Sequence, residues 1–182
     1  GAYMDDPDAI SNAGSAQVFS GLDGSVLHDF KGDTANGSFG YSVNAAGDVN
    51  NDGYADVIVG TNGAQKAQVF SGYNGNLLYT LQMPTEAGFG AAVSGAGDVN
   101  GDGYADVIVG APAANHGNLG AGSASVFSGS NGSVMYIYFG DGFDDHFGTS
   151  VSAAGDVNQD GYPDVIAGAN QTYTATLGMA RV

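Results

Sequence analysis

The amino-acid sequence predicts an all-β fold in which a unit of four short antiparallel strands is repeated along the chain. The first observation is a motif, D-x-N-x-D-G-x-x-D followed by a short apolar run, which occurs at 48–56, 98–106 and 156–164. The second is the abundance of Gly, 32 of 182 residues, at recurring turn positions. These glycines have no G-X-Y period, so they indicate hairpins rather than a collagen-like helix.

Each repeat begins with a Phe-Gly pair and a short run of small, alternating residues, which predict its first strand. The pairs are Phe39-Gly40, Phe89-Gly90 and Phe147-Gly148. The loop motif follows the first strand. The apolar run after the loop is rich in β-branched residues and predicts the second strand, which ends at Gly60, Gly110 or Gly168.

The second half of each repeat predicts a hairpin. Residues 67–72 and 124–129 predict the third strand, and 77–81 and 134–139 predict the fourth. Asn74-Gly75 and Asn131-Gly132 lie between them and favour a tight hairpin turn. The loops begin 50 and then 58 residues apart, and the extra length falls mostly in 113–122 and 140–145.

The two ends of the chain repeat parts of this unit. Residues 16–21 match the third strand, and Gly1-Ala2-Tyr3 corresponds to Gly110-Ala111-Pro112. At the other end, residues 179–182 resemble the start of a third strand. We therefore expect one domain over 1–182, with a half-blade at 1–31 and repeats at about 32–82, 83–139 and 140–182.

Four short strands in about 50 residues, repeated, are typical of β-propeller blades. The chain holds about three blades' worth of strands, offset by half a blade, and three blades are too few to close a ring. Two explanations are open. The chain is a fragment of a longer propeller, or its half-blade ends associate with another copy, which gives six blades in a closed dimer or a fibre if the ring does not close.

The loop motif predicts three Ca²⁺ sites of structural role. Oxygen-bearing side chains stand at loop positions 1, 3, 5 and 9, with a Gly at position 6 for the sharp turn, and a hard cation takes six to eight such oxygens. Position 7 is predicted to contribute its backbone carbonyl. The predicted ligands are Asp48, Asn50, Asp52, Tyr54 and Asp56; Asp98, Asn100, Asp102, Tyr104 and Asp106; and Asp156, Asn158, Asp160, Tyr162 and Asp164.

Loops with flanking helices, of the EF-hand or dockerin type, are competing interpretations of the motif. An EF-hand needs a Glu at position 12 and flanking helices, but position 12 is Val59, Val109 or Ala167, in a segment that predicts a strand. An acidic surface turn without metal is the remaining alternative. It is disfavoured because converging carboxylates repel one another when no cation is present.

The Phe-Gly and Gly-Ala-Pro landmarks, with the D-x-N-x-D-G-x-x-D loop between them, resemble the FG-GAP repeat of the integrin α-subunit propeller and of many bacterial secreted proteins. The resemblance covers nearly the whole chain. The Gly-Ala-Pro element is present as Gly110-Ala111-Pro112 and is altered in the other two copies. The resemblance implies Ca²⁺ bound at the loops on the lower face of a propeller.

Composition excludes several functions. The formal net charge is −16 with only three basic residues, so no basic patch is available to bind nucleic acid. Three bound Ca²⁺ ions, each of charge +2, would bring this charge to −10. No run is long enough to span a membrane, and there is no Cys. The chain begins with Gly and carries no signal peptide, so we expect a processed form or a fragment.

We therefore predict an extracellular or cell-surface module that serves adhesion, protein binding or homo-assembly, through a protein partner or through its own half-blade ends. A carbohydrate-binding, lectin-like propeller is the alternative. We predict that the chain is not an enzyme, since no G-x-S-x-G motif is present and His28, His116 and His146 are scattered. The acidic run 141–145 predicts an exposed loop, with a fourth cation site as the alternative.

Overall fold

A computed structural model describes residues 1–117, 119–170 and 180–181. These residues form thirteen strands and one short 3-10 turn at Pro7–Ala9. The strands are β1 (Ser15–Phe19), β2 (Val26–Lys31), β3 (Phe39–Gly47), β4 (Asp56–Thr61), β5 (Lys66–Phe70), β6 (Leu77–Gln82), β7 (Ala92–Gly97), β8 (Asp106–Ala111), β9 (Ser123–Phe127), β10 (Val134–Phe139), β11 (Ser150–Gly155), β12 (Asp164–Gly168) and β13 (Ala180–Arg181).

The strands form four antiparallel sheets in chain order. We call β1–β2 the N-terminal half-blade, β3–β6 the first blade, β7–β10 the second blade and β11–β13 the third blade. The first and second blades each have four strands, and every strand pairs with its neighbour in sequence. This confirms the predicted all-β, propeller-like fold class. The described residues form no closed sheet, and none of their helices is long and apolar enough to cross a membrane.

The ends of the chain repeat the pairing of the complete blades. Ala2 forms a bridge with Ser15, as Ala111 pairs with Ser123 in the second blade. The two residues of β13 pair with Ala167 and Gly168 of β12, at the end of the strand where a third strand begins in the other blades. The half-blade offset therefore appears in the strand pairing. The extent of the single domain and its repeat boundaries stay predictions.

The first strands of the three blades, β3, β7 and β11, lie next to one another in order. A side-chain hydrogen bond joins two blades near this inner edge: the Ser42 hydroxyl of the first blade donates to Gly90 O (2.8 Å) at the start of the second blade. Within the second blade, Gly90 N–H donates to Gly110 O (3.1 Å). Because the Ser42 bond runs between sheets, it helps to position the first blade against the second.

The hydrophobic core lies between successive blades rather than within one sheet. The Phe of each Phe-Gly pair is its largest buried side chain, and Phe39, Phe89 and Phe147 are almost fully enclosed. Phe89 lies in the cluster between the first and second blades, and Phe147 in the cluster between the second and third. The glycine after each Phe has a positive φ, +90° at Gly90 for example, a conformation that residues with a Cβ rarely adopt.

Gly110 in β8 tests how tightly successive blades pack. A Cβ at this position would overlap the carbonyl oxygen of Gly148, which belongs to the following blade. We expect Gly110→Ala to lower the free energy of unfolding by about 1–3 kcal/mol, the usual cost of overpacking. Urea denaturation measures it. Thr80→Ala, on an exposed site of β6, is the control and should change stability by less than about 0.5 kcal/mol. Equal stability of the two variants would contradict this packing.

Candidate metal centre

The predicted metal loops connect the first and second strands of the three blades, at β3–β4, β7–β8 and β11–β12. In the first loop, Asp48 accepts two backbone hydrogen bonds, from Asp52 N–H (3.0 Å) and Gly53 N–H (2.8 Å). Asp52 in turn accepts from Tyr54 N–H (2.9 Å). The side chains at positions 1 and 5 therefore fold the loop around their own oxygens.

The second and third loops have the same hydrogen bonds. Asp98 and Asp156 accept from the backbone at positions 5 and 6, at 2.8–3.1 Å. The Gly at position 6 has φ of +88°, +89° and +95° in the three loops, so a left-handed residue makes the turn each time. The three copies of the motif therefore have one loop geometry.

The closing Asp at position 9 is the first residue of the second strand and ties the loop to the rest of the blade. Asp56 is fully buried and accepts from Val49 N–H and from Gly72 N–H, both at 2.9 Å. Asp106 is also fully buried and accepts from Val99 N–H (2.8 Å) and Gly129 N–H (2.9 Å). One carboxylate therefore joins its loop to the end of the third strand.

Burial is the main cause that raises the pKa of the Asp56 carboxyl above its usual value. Hydrogen bonds from Gly72 and Val49 oppose this rise, and the negative charges of Asp52 and Asp48 add to it. The pKa of Asp106 is raised for the same reasons. The negative charges of Asp48 and Asp52 thus disfavour ionisation of the Asp56 carboxyl group, and a bound cation would favour it.

The oxygen chemistry of the loops fits Ca²⁺, which prefers carboxylate, amide and carbonyl oxygens. The described part of the chain has no cluster of three or more His, Asp or Glu side chains arranged as a metal cage. The predicted set uses an Asn and a backbone carbonyl besides the acids, and carboxylate oxygens that accept a backbone hydrogen bond keep a second lone pair. Calcium coordination by these fifteen residues stays a prediction.

The loops of adjacent blades touch at their tyrosines and small residues. The Tyr162 ring lies against Gly101 of the preceding loop, and Pro163 lies against Gly97. In the first blade, the ring of Tyr54 packs on Tyr73, with centroids 4.8 Å apart. The side chains at position 7 therefore make contacts outside their own loop, while their carbonyls remain the predicted ligands.

The structure brings together one polar cluster that the sequence did not reveal. Glu86 is 2% exposed; it accepts hydrogen bonds from His116 Nε2 (2.7 Å) and from the Ser123 hydroxyl (2.6 Å). Ser123 is fully buried, and its hydroxyl donates to Glu86 and not to His116. These three residues therefore do not form a catalytic triad, in which a nucleophile contacts a base and the base contacts an acid. His116 lies in the insert 113–122, so the repeat pattern of the sequence does not identify its partner.

The predicted acidic loop 141–145 is only partly exposed. Asp141 lies at the surface, whereas Asp145 is buried and accepts a hydrogen bond from Gly142 N–H. Asp144 N–H donates to Leu119 O (2.9 Å), which joins this loop to the insert 113–122. The loop thus packs against its neighbour, and its Asp145 carboxyl group contributes to the turn.

Repeated four-stranded antiparallel sheets, each with an Asp/Asn loop between its first two strands, define a propeller-type repeat protein. The chain belongs to the FG-GAP repeat family: the model of that repeat matches residues 39–78, 89–127 and 147–178, more than half of the sequence. Each match begins at the Phe of a Phe-Gly pair and contains one loop. This confirms the resemblance. No curated protein matches the chain.

Propellers of this family are generally not enzymes, and the absence of activity in this chain stays a prediction.

The two hydrogen bonds of the buried Asp106 generate a test in metal-free protein. In Asp106→Asn, an amide NH₂ replaces one of the acceptors that face Val99 N–H and Gly129 N–H, so a buried donor loses its partner. We expect a loss of about 1–3 kcal/mol in the free energy of unfolding, measured by urea denaturation in excess EGTA. The exposed Asp102→Asn is the control. A larger loss in the control than in Asp106→Asn would contradict the role assigned to the buried carboxylate.

Proposed function

We propose that this protein is an extracellular, Ca²⁺-stabilised propeller module that binds protein partners, in adhesion or in self-assembly. The observation that supports the proposal is that the three loops, each with three Asp and one Asn at the same spacing, share one hydrogen-bonded conformation. In this proposal each loop binds one Ca²⁺, and the metal has a structural role.

The structural role follows from what the loop joins. Asp56 contacts Val49 of the loop and Gly72 at the end of the third strand. A cation held by this carboxylate would brace both halves of a blade. Such bracing matters in a chain with 32 Gly residues, because Gly loses more backbone entropy on folding than other residues.

Charge also supports bound cations. Nine of the nineteen acidic residues lie in the three loops, against three basic residues in the whole chain. Calcium sites of extracellular modules bind at about 10⁻⁴–10⁻³ M, so the stability of such a module depends on free Ca²⁺ by mass action. An extracellular setting would keep the proposed sites filled.

Exposed apolar residues support protein binding. The half-blade displays Phe19, Leu22, Val26 and Leu27, all at least half exposed, on a two-stranded sheet and its hairpin turn. An apolar sheet with an unpaired edge favours association with another protein. The carbohydrate-binding alternative draws support from three tyrosines, Tyr136, Tyr138 and Tyr162, that line one cavity; a glycan array in the presence of Ca²⁺ tests it.

Calorimetric titration with Ca²⁺ tests the metal sites. We expect about three ions per chain for the natural sequence and about two for Asp102→Asn, which removes one carboxylate ligand. The melting temperature should rise with Ca²⁺ in both proteins. Asp23→Asn is the matched control, because it removes an acid outside the loops and installs the Asn-Gly turn that the other hairpins already have at Asn74 and Asn131. It should keep three ions.

Absence of binding to the natural sequence at millimolar Ca²⁺, with the protein folded, would overturn the proposal. Equal stoichiometry in Asp102→Asn and in the natural sequence would show that the ions bind elsewhere.

A further inference from the structure

We propose that the N-terminal half-blade of one copy docks on the third blade of a second copy, and that Phe19 fills the cavity between the second and third blades of that copy. This inference rests on the proposed binding function and names its partner as a second copy of the chain. Two such contacts would close a dimer.

The receiving cavity has a volume of about 570 Å³. Its apolar wall comes from both blades and includes Val126, Tyr138, Phe147, Pro163, Val165 and Ala167. Tyr138 is 39% exposed there, whereas Leu81, at the corresponding position of the first blade, is buried. The cavity thus opens onto a sheet face that is covered in the preceding blade.

A Phe fills the corresponding place at the other two blade junctions. Phe70, at the end of the third strand of the first blade, stacks on Phe30 (centroids 4.3 Å apart) and meets Phe39 edge-on (6.0 Å). Phe127 meets Phe89 edge-on in the next junction (5.8 Å). By position in the repeat, Phe147 corresponds to Phe39 and Phe89.

Phe19 is the third member of this series. It ends β1 as Phe70 ends β5 and Phe127 ends β9, yet it is 57% exposed. The register predicts where it belongs, since Phe70 pairs with Val57 and Phe127 with Val107. Val165 is the residue of the third blade that corresponds to Val57 and Val107, and it lines the cavity.

A glycine two residues further on gives independent support. At Gly72 and Gly129, a Cβ would overlap the carbonyl oxygens of Ala55 and Ala105. Gly21 occupies the same position of the same hairpin, yet a Cβ there would meet nothing within 4 Å. Packing within one chain therefore does not require a glycine at position 21.

The second copy supplies the missing neighbours of Gly21. Gly72 and Gly129 donate their N–H groups to Oδ1 of the closing aspartates Asp56 and Asp106. In the docked arrangement Gly21 would approach the backbone at Pro163 and donate to Asp164. This contact would give the third loop the hydrogen bond to a following hairpin that the first two loops already have.

Strand pairing sets one condition on docking. β13 pairs with Ala167 and Gly168, which β1 of the second copy would also use, so the incoming strand must displace this two-residue strand. Because each joined pair of ends completes one blade, two copies make six blades. Propellers usually have four to eight, so a third copy would exceed the range and we expect a dimer.

Light scattering in millimolar Ca²⁺ tests the docking. We expect a dimer for the natural sequence and a rise of about 30-fold or more in the dimer dissociation constant for Phe19→Ser, as for truncation of an interface hot spot. The control is Phe143→Ser, which removes an equally exposed Phe (55%) away from the cavity and should leave the dimer intact.

A second pair of variants separates docking from folding. Gly21→Val should abolish the dimer while circular dichroism and the number of bound Ca²⁺ ions stay unchanged, because its side chain is free within one chain. Gly72→Val places the same side chain at the internal site and should destabilise the fold itself.

A folded, Ca²⁺-bound monomer would overturn the docking and leave the calcium proposal intact. A dimer that binds no Ca²⁺ would overturn the calcium proposal and leave the docking intact. A dimer insensitive to both Phe19→Ser and Gly21→Val would also overturn the docking, as would a glycan bound in this cavity by a folded monomer.

Discussion

The buried carboxylate that closes the loop in the first and second blades is the interaction on which those blades depend. The carboxyl groups of Asp56 and Asp106 are fully enclosed, and two backbone N–H groups donate to each of them. Burial of a charge is costly unless hydrogen bonds or an opposite charge compensate it. The loop, the second strand and the end of the third strand therefore have to meet at one point. Burial raises the pKa of both carboxyl groups, and the backbone hydrogen bonds oppose this rise.

A second constraint is the serial packing of Phe side chains between blades. Phe39, Phe89 and Phe147 each begin a blade and are buried at its junction with the blade before it. The Phe that ends the third strand, such as Phe127, then inserts at the same junction. Each junction therefore needs residues from two sheets, so a blade cannot bury its apolar face alone. This is the physical basis of repeat architectures and explains why the ends of the array matter.

Much of the fold could be predicted because its signals are local and repeated. The loop spacing, the Phe-Gly pairs and the Asn-Gly turns each indicate a backbone conformation within a few residues, and the strand bounds agree to within a few positions. The third strand ends at Phe70 rather than Gly72, because Ser71 already bonds across the hairpin turn to Asn76.

Contacts between residues far apart in the chain could not be predicted from the sequence. Glu86 and His116 lie 30 positions apart in segments of irregular length, and no periodic pattern relates them. The second hydrogen bond of Asp56, from Gly72, was likewise invisible, since it depends on how the outer hairpin folds back over the loop. The metal ligands were predicted from spacing alone, and whether Ca²⁺ occupies them remains the central proposal.

That proposal is tested most directly by anomalous diffraction from crystals in which Tb³⁺ replaces Ca²⁺. The account predicts three peaks per chain, one in each loop, each at metal–ligand distance from the side chains at positions 1, 3, 5 and 9; in the Ca²⁺ form these distances are about 2.3–2.6 Å. Loops that keep their hydrogen-bonded conformation and show no peak would contradict it, and the acidic turns would then be stabilised by their own backbone amides.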